Sequence, residues 1–185
     1  MPEIDPKLKN DFSIAEKFYS EGKYLESIKK YQAILIDYPK LIAAINNIGQ
    51  SYEQLDQLDE SIKYFEKCLL IDPSMKTVIN NIVTIFIKKK DYNKVITYST
   101  KSLIIDESQI NMIEIKTKCL IKLNLINEAK LFLHPYIIKY PNNNMLSALM
   151  GKILIALNEH QDGLEALKKG TGFIELEEDK VRIVK

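Results

Sequence analysis

Cysteine, histidine, glycine and proline are all scarce in this chain of 185 residues. The two cysteines, Cys68 and Cys119, stand far apart, without the paired spacing that holds a metal, so they are expected as reduced core thiols in a cytoplasmic protein. The two histidines, His134 and His160, have no Ser, Cys or Asp partner at a recognisable spacing. HExxH, CxxC, P-loop and GxGxxG patterns are all missing, and Gly170-Thr171-Gly172 is too short to cradle phosphate and reads as a helix stop. No catalytic residue, metal or cofactor is therefore expected, and the chain is expected not to be an enzyme. Six Gly and six Pro leave no room for a low-complexity linker. No apolar run approaches a membrane span, and Met1-Pro2-Glu3-Ile4-Asp5-Pro6-Lys7 lacks the apolar core of a secretion signal.

What is present is ordinary in amount and unusual in order. Hydrophobic residues make up 46% and charged residues 28%, and the length suffices to bury a real core. The net charge of +1 hides an uneven spread. Residues 1 to 75 carry 9 Lys against 13 acidic residues, residues 76 to 141 carry 11 Lys against 5, and residues 142 to 185 carry 6 basic against 7 acidic. The middle of the chain is a basic block.

The hydrophobic pattern is that of helical hairpins. Ile45, Ile48, Tyr52 and Leu55 recur every three or four residues, with Gly49 beside them. After a break at Asp56-Gln57 a second stripe follows, with Ser61, Ile62, Phe65, Cys68 and Leu69, and it stops at Pro73. A small residue in each helix, Gly49 and Ser61, marks the point of closest approach. This segment resembles one tetratricopeptide repeat (TPR), with Ile45 at the Trp position, Ile48-Gly49, Tyr52, Ser61 at the Ala position, Phe65 and Pro73. Steps of about 34 residues recover the pattern in both directions. The resemblance implies an all-α, right-handed superhelical solenoid of five TPR helix-turn-helix hairpins, with units at about residues 8–39, 40–73, 74–107, 108–141 and 142–170.

Local departures carry their own expectations. Asp5-Pro6 suits a helix start. Unit 3 lacks the closing proline at Asp106-Glu107 and has Ser99 in place of an aromatic, so its second helix is expected to pack less firmly. His134-Pro135 falls inside the second helix of unit 4 and predicts a kink or break. Residues 171–185 leave the repeat, and alternation of Ile174, Leu176, Val181 and Ile183 around Glu-Asp-Lys predicts a short C-terminal β-hairpin or an extended tail, with a capping helix as the alternative.

The expected function is binding. In such an array the first helix of each pair lines a concave groove, and the resemblance implies a protein or peptide partner there. Asn46, Asn47 and Gln50 lie beside the core stripe of unit 2, and Asn80, Asn81 and Thr84 repeat this in unit 3. A side-chain amide both donates and accepts, so Asn47 and Asn81 could hold the backbone of an extended peptide without reading its sequence. This is similar to the asparagine ladder of the TPR superhelix in O-linked N-acetylglucosamine transferase. The match stops at these two, with Ser13, Ile115 and Leu149 at the equivalent places. Lys118 and Lys122 in unit 4 would favour an acidic peptide. The chaperone-tail clamp of heat-shock co-chaperones does not fit, because Phe12 and Glu16 stand where its Lys and Asn belong. Nucleic acid is not the expected partner, since Lys88-Lys89-Lys90 is Lys-only charge with little aromatic interleaving. A homodimer formed through the last repeat and tail, or a substrate-recruiting accessory of an enzyme, are the alternatives.

Overall fold

The computed structural model describes residues 5–172, 174–177 and 180–183. They form α1 (Pro6–Ser20), α2 (Tyr24–Asp37), α3 (Ile42–Gln54), α4 (Leu58–Ile71), α5 (Lys76–Lys88), α6 (Tyr92–Ile105), α7 (Ile110–Lys122), α8 (Ile126–Lys139), α9 (Asn144–Ala156) and α10 (His160–Thr171), then β1 (Ile174–Glu177) and β2 (Lys180–Ile183). Helices α3, α5, α7 and α9 begin at residues 42, 76, 110 and 144, and helices α2, α4, α6, α8 and α10 at residues 24, 58, 92, 126 and 160. Every step is 34 residues, so five helix pairs share one phase.

The phase is set at the turn inside each pair. One residue there has left-handed backbone: Gly22 (φ 74°), Asp56 (56°), Lys90 (56°), Asn124 (59°) and Asn158 (64°). At four of these turns the next amide reaches back five residues to close the helix: Lys23 donates to the Phe18 carbonyl, Gln57 to Tyr52, Leu125 to Leu120 and Glu159 to Leu154, each at 2.9 Å. This is the Schellman geometry, which uses carbonyls the helix end would otherwise leave unpaired.

The chain divides into two compact units, one ending at Lys89 and the other beginning at Lys90. The first holds α1 to α5. The N-cap Asp5 accepts the Lys7 amide at 2.9 Å with Pro6 in the first turn of α1, and the Tyr38 hydroxyl donates to the same carboxylate at 2.6 Å. Ala15, Ile28, Tyr31, Ile34, Ala44 and Ile48 are buried together, with Phe12, Leu41 and Tyr52 packed against them. Between the helices of each pair, buried hydroxyls tie small residues together. Ser27 Oγ donates to the Ala15 carbonyl at 3.0 Å, and Ser61 Oγ donates to the Gly49 carbonyl at 2.7 Å. A methyl at Gly49 would lie 2.8 Å from the Phe65 ring, so the ring occupies the space of the missing side chain.

The second unit holds α6 to α10 and the strands. Ser99 is fully buried in α6, and the turn into α7 is held by Gln109, whose side-chain amide donates to the Ser102 carbonyl at 2.9 Å and the Asp106 carbonyl at 3.1 Å. Asp106 also accepts the amide and hydroxyl of Ser108, as Asp72 does with Ser74, so this turn closes without the proline. The loose packing expected of α6 is therefore not seen where it meets α7. Helix α8 runs unbroken through Pro135, so the expected break is corrected. The proline removes only the bond to the Leu131 carbonyl, and Leu131 lies on an exposed face where water can reach. Helix α10 does stop within Gly170-Thr171-Gly172, as expected: it ends at Thr171 and Gly172 caps it with φ 93°. A methyl at Gly170 would lie 2.3 Å from the Ala148 amide, which makes it a contact between α9 and α10. Strands β1 and β2 pair antiparallel, with Ile174 opposite Ile183 and Glu177 opposite Lys180.

Two substitutions test this phasing by urea unfolding. Gly151→Ala places a methyl 2.7 Å from the Leu167 amide and 2.8 Å from the Gly163 carbonyl, both backbone atoms that cannot swing aside. It should cost about 2–3 kcal/mol. Lys90→Gly relieves a left-handed lysine and should gain about 1 kcal/mol.

Candidate functional site

The first helices of the pairs in the first unit adjoin along one wall. Tyr19 on α1 stands beside Gln54 and Glu53 on α3. Glu53 in turn accepts Lys88 Nζ of α5 at 2.6 Å. Burial raises the Tyr19 phenol above its ordinary pKa, with Tyr24 and Glu53 adding to the effect. The expected polar residues lie on these helices. Asn46, Asn47 and Gln50 on α3, and Asn80 and Asn81 on α5, are half-buried, while Thr84 is exposed.

Asn47 is not an idle amide. Its Nδ2 donates to the Tyr31 hydroxyl of α2 at 2.8 Å, and its Oδ1 accepts Asn46 Nδ2 at 3.3 Å. One donor hydrogen and one lone pair remain. Tyr31 is buried, which raises its phenol's pKa, and the bond from Asn47 opposes that rise. One repeat later, Phe65 takes the place of Tyr31 and offers no hydroxyl. Among the described residues, Asn81 accordingly has no hydrogen-bond partner, and its amide keeps its full capacity. The Thr84 hydroxyl donates to the Asn80 carbonyl one turn back at 3.1 Å, as helical threonines do.

Sequence reasoning missed what lies at the start of this wall. Leu8, Lys9, Phe12, Ser13 and Glu16 of α1, with Leu41 just before α3, line a surface pocket of about 420 Å³. Phe12, Ser13 and Glu16 occupy the register of Asn46, Asn47 and Gln50, so the first step of the wall has an apolar floor with charge at its rim. The signal was Phe12 where the later repeats have Asn46 and Asn80.

Lys118 and Lys122 lie on α7 in the second unit, both exposed. Lys118 is ion-paired with Glu114 one turn back, so its charge is largely spent. Lys122 Nζ donates to the Tyr92 hydroxyl at 3.3 Å and sits 5.0 Å from the centre of that ring. Lys116 was overlooked. It occupies the register of Ile14, Ile48, Ile82 and Met150, its Nζ lies 4.2 Å over the Phe132 ring, and burial lowers its pKa from the usual 10.5. Among the described residues no carboxylate pairs with it. Cys68 and Cys119 are buried free thiols, and burial pushes Cys68 up to about 11, so neither is a reactive thiolate. Among the described residues no group of three His, Cys, Asp or Glu side chains could hold a metal, and no helix is long and apolar enough to cross a membrane.

Two variants follow from this geometry. Tyr31→Phe should cost about 1 kcal/mol in urea unfolding, the net worth of the bond to Asn47. Lys116→Met restores the apolar type and should gain about 1 kcal/mol at neutral pH, with the loss of the cation–π contact already set against it. Because folding lowers the Lys116 pKa, the unfolded chain binds more protons, and the penalty fades as pH rises towards 10.5. The gain from Lys116→Met should shrink over that range.

The comparisons with known proteins agree with the helix phasing. Residues 42–75 match the family model for the tetratricopeptide repeat. No curated protein sequence matches the chain. Solved structures share its fold at low identity. A crystal structure of MamA superposes with TM-score 0.73 at 12% identity, covering 88% of this chain and 89% of that one. Residues 41 to the end of MamA from Desulfovibrio magneticus RS-1 give 0.71 at 11% identity, covering 91% and 95%. YrrB, described as a TPR protein with an unusual peptide-binding site, gives 0.68 at 16% identity, covering 86% and 82%. Residues 42–75 are thus a tetratricopeptide repeat, and the five helix pairs in its phase give the chain the helical-repeat solenoid fold of tetratricopeptide repeat proteins.

Proposed function

We propose that the chain is a non-catalytic interaction scaffold that holds an extended peptide segment against the wall formed by α1, α3 and α5. The observation that carries this reading is the half-buried, unpartnered amide of Asn81, with the partly committed amide of Asn47 at the same register of the preceding repeat. An extended peptide presents alternating donors and acceptors, and each amide can meet one of each. Asn46, Gln50, Asn80 and Thr84 would add polar contacts beside them. YrrB, with the same fold, is described as peptide-binding, which supports the class of ligand. In the second unit, taken by itself, a preference for acidic segments rests on Lys118 and Lys122. Lys122 carries most of it, because Glu114 already neutralises Lys118.

The test is titration of the full chain with a tiled set of extended, acidic peptides, read by fluorescence anisotropy beside thermal melts. Asn81→Ala should weaken binding about five- to tenfold, the worth of one or two net hydrogen bonds, and leave the melt unchanged. Asn47→Ala should weaken binding and also lower the melting temperature, because it strips Tyr31 of its donor. Full affinity in the double variant would end this reading.

A further inference from the structure

We infer that the pocket at the head of the wall selects the bound segment: it receives one bulky apolar side chain, and Glu16 at its rim pairs with a Lys or Arg beside that side chain. This rests on the reading that α1, α3 and α5 hold an extended peptide, and it names what the first unit asks of that peptide. The floor is made by Leu8, Phe12 and Leu41, all half-buried, with Lys9, Ser13 and Glu16 exposed around it. The space is about 420 Å³, and an apolar cleft of that size with a few polar groups at its edge is suited to an apolar group. Leu8, Phe12 and Leu41 pack against the buried cluster of the first unit, which fixes the floor in place. The Phe12 ring meets the Tyr31 ring edge to face at 5.1 Å, and the Tyr31 hydroxyl accepts Asn47 Nδ2 at 2.8 Å. One ring thus separates the pocket from an amide that would hold the peptide backbone.

The later steps of the wall make no such demand. At the register of Phe12 stand Asn46 and Asn80, at that of Glu16 stand Gln50 and Thr84, and at that of Lys9 stand Ala43 and Thr77. Amides and hydroxyls there can meet any backbone, whereas the first step offers an apolar floor and a fixed charge. Among the described residues Glu16 has no ion pair, unlike Glu53 on the same wall, which Lys88 answers at 2.6 Å. Burial raises the pKa of the Tyr31 phenol, the bond from Asn47 opposes the rise, and the charge of Glu16 adds to it. That charge is therefore felt where the pocket meets the amide. Lys9 is also without an ion pair among the described residues, but it stands two helical turns before Glu16, about 10 Å along α1, at the far rim. The surrounding charge favours a cation as well, since residues 1 to 75 carry 9 Lys against 13 acidic residues. A carboxylate on the peptide at this point would be set against Glu16.

Fluorescence anisotropy of the full chain with acetylated and amidated peptides of about ten residues tests this. Extended, such peptides span about 33 Å, enough to cross three helices packed about 10 Å apart. The background is Ser and Thr, with Leu or Ala at one central position and Arg, Gln or Glu at each neighbouring position in turn. The wild type should bind the Leu peptides about tenfold tighter than the Ala peptides. At one neighbouring position it should prefer Arg to Glu about fivefold. Glu16→Lys, at an exposed position, should reverse the charge preference and keep the preference for Leu. Phe12→Asn, which installs the residue that α3 and α5 carry at this register, should remove the preference for Leu. The comparison of Leu with Ala on the wild type decides the matter even where a thermal melt shows Phe12→Asn unfolded. Asn81→Ala separates the two readings. Peptides that lose affinity in Asn81→Ala yet show neither preference would overturn the pocket and leave the wall standing. Binding by none of the peptides would overturn both together. Self-association of the wild type that Phe12→Asn removes, with no side-chain preference among the peptides, would overturn the proposal by giving the pocket to a second copy.

Discussion

The distance to which the two helices of a pair can approach governs the rest of this molecule. At Gly49 the Phe65 ring fills the place of a side chain, and Ser61 bonds the carbonyl beneath it. Ala15 with Ser27 repeats the arrangement one unit earlier, and Gly151 with Gly163 brings backbone within reach of backbone in the last pair. Van der Waals contact at that distance falls away steeply with any gap or clash, so a small residue at this point is a requirement of packing. A left-handed residue in the turn then fixes where the second helix starts. Together the two constraints explain why equivalent helices of successive pairs begin 34 residues apart from α2 onward while the surface sequence varies freely.

Holding the helices in phase has a consequence for function. Residues 34 apart fall on equivalent faces, so the array converts sequence differences between repeats into differences along a wall. Tyr31 and Phe65 differ by one oxygen, and that oxygen decides whether the amide beside it is tied down, as in Asn47, or open, as in Asn81. Phe12 at the head of the same wall gives an apolar floor where the later repeats give amides. Lys118 and Lys122 show the converse, since two exposed lysines on one helix differ in whether a carboxylate already answers them.

The period, the helix pairs, the Asp5 cap and the turns were legible in the sequence because each rests on local chemistry: spacing of apolar residues, a capping side chain, a residue that tolerates positive φ. What escaped depends on contacts between segments. Pro135 looked like a break because the missing bond is visible in sequence, while the solvated carbonyl that tolerates it is not. Gly170 was legible as part of the helix stop, while its packing against the backbone of α9 was not. The bond from Asn47 to Tyr31 spans 16 residues and follows from no pattern along either helix. Lys116 could have been found by aligning the five units, since it alone breaks a register of Ile and Met.

The central claim is that the wall of α1, α3 and α5 is a peptide-binding surface with the Asn81 amide at its working centre. Side-chain amide resonances of ¹⁵N-labelled protein during a peptide titration address it most directly. The account predicts that the Asn81 side-chain NH₂ pair moves furthest, with Asn47 following. Shifts confined to the second helices of the pairs, with both asparagine amides stationary at saturation, would contradict it.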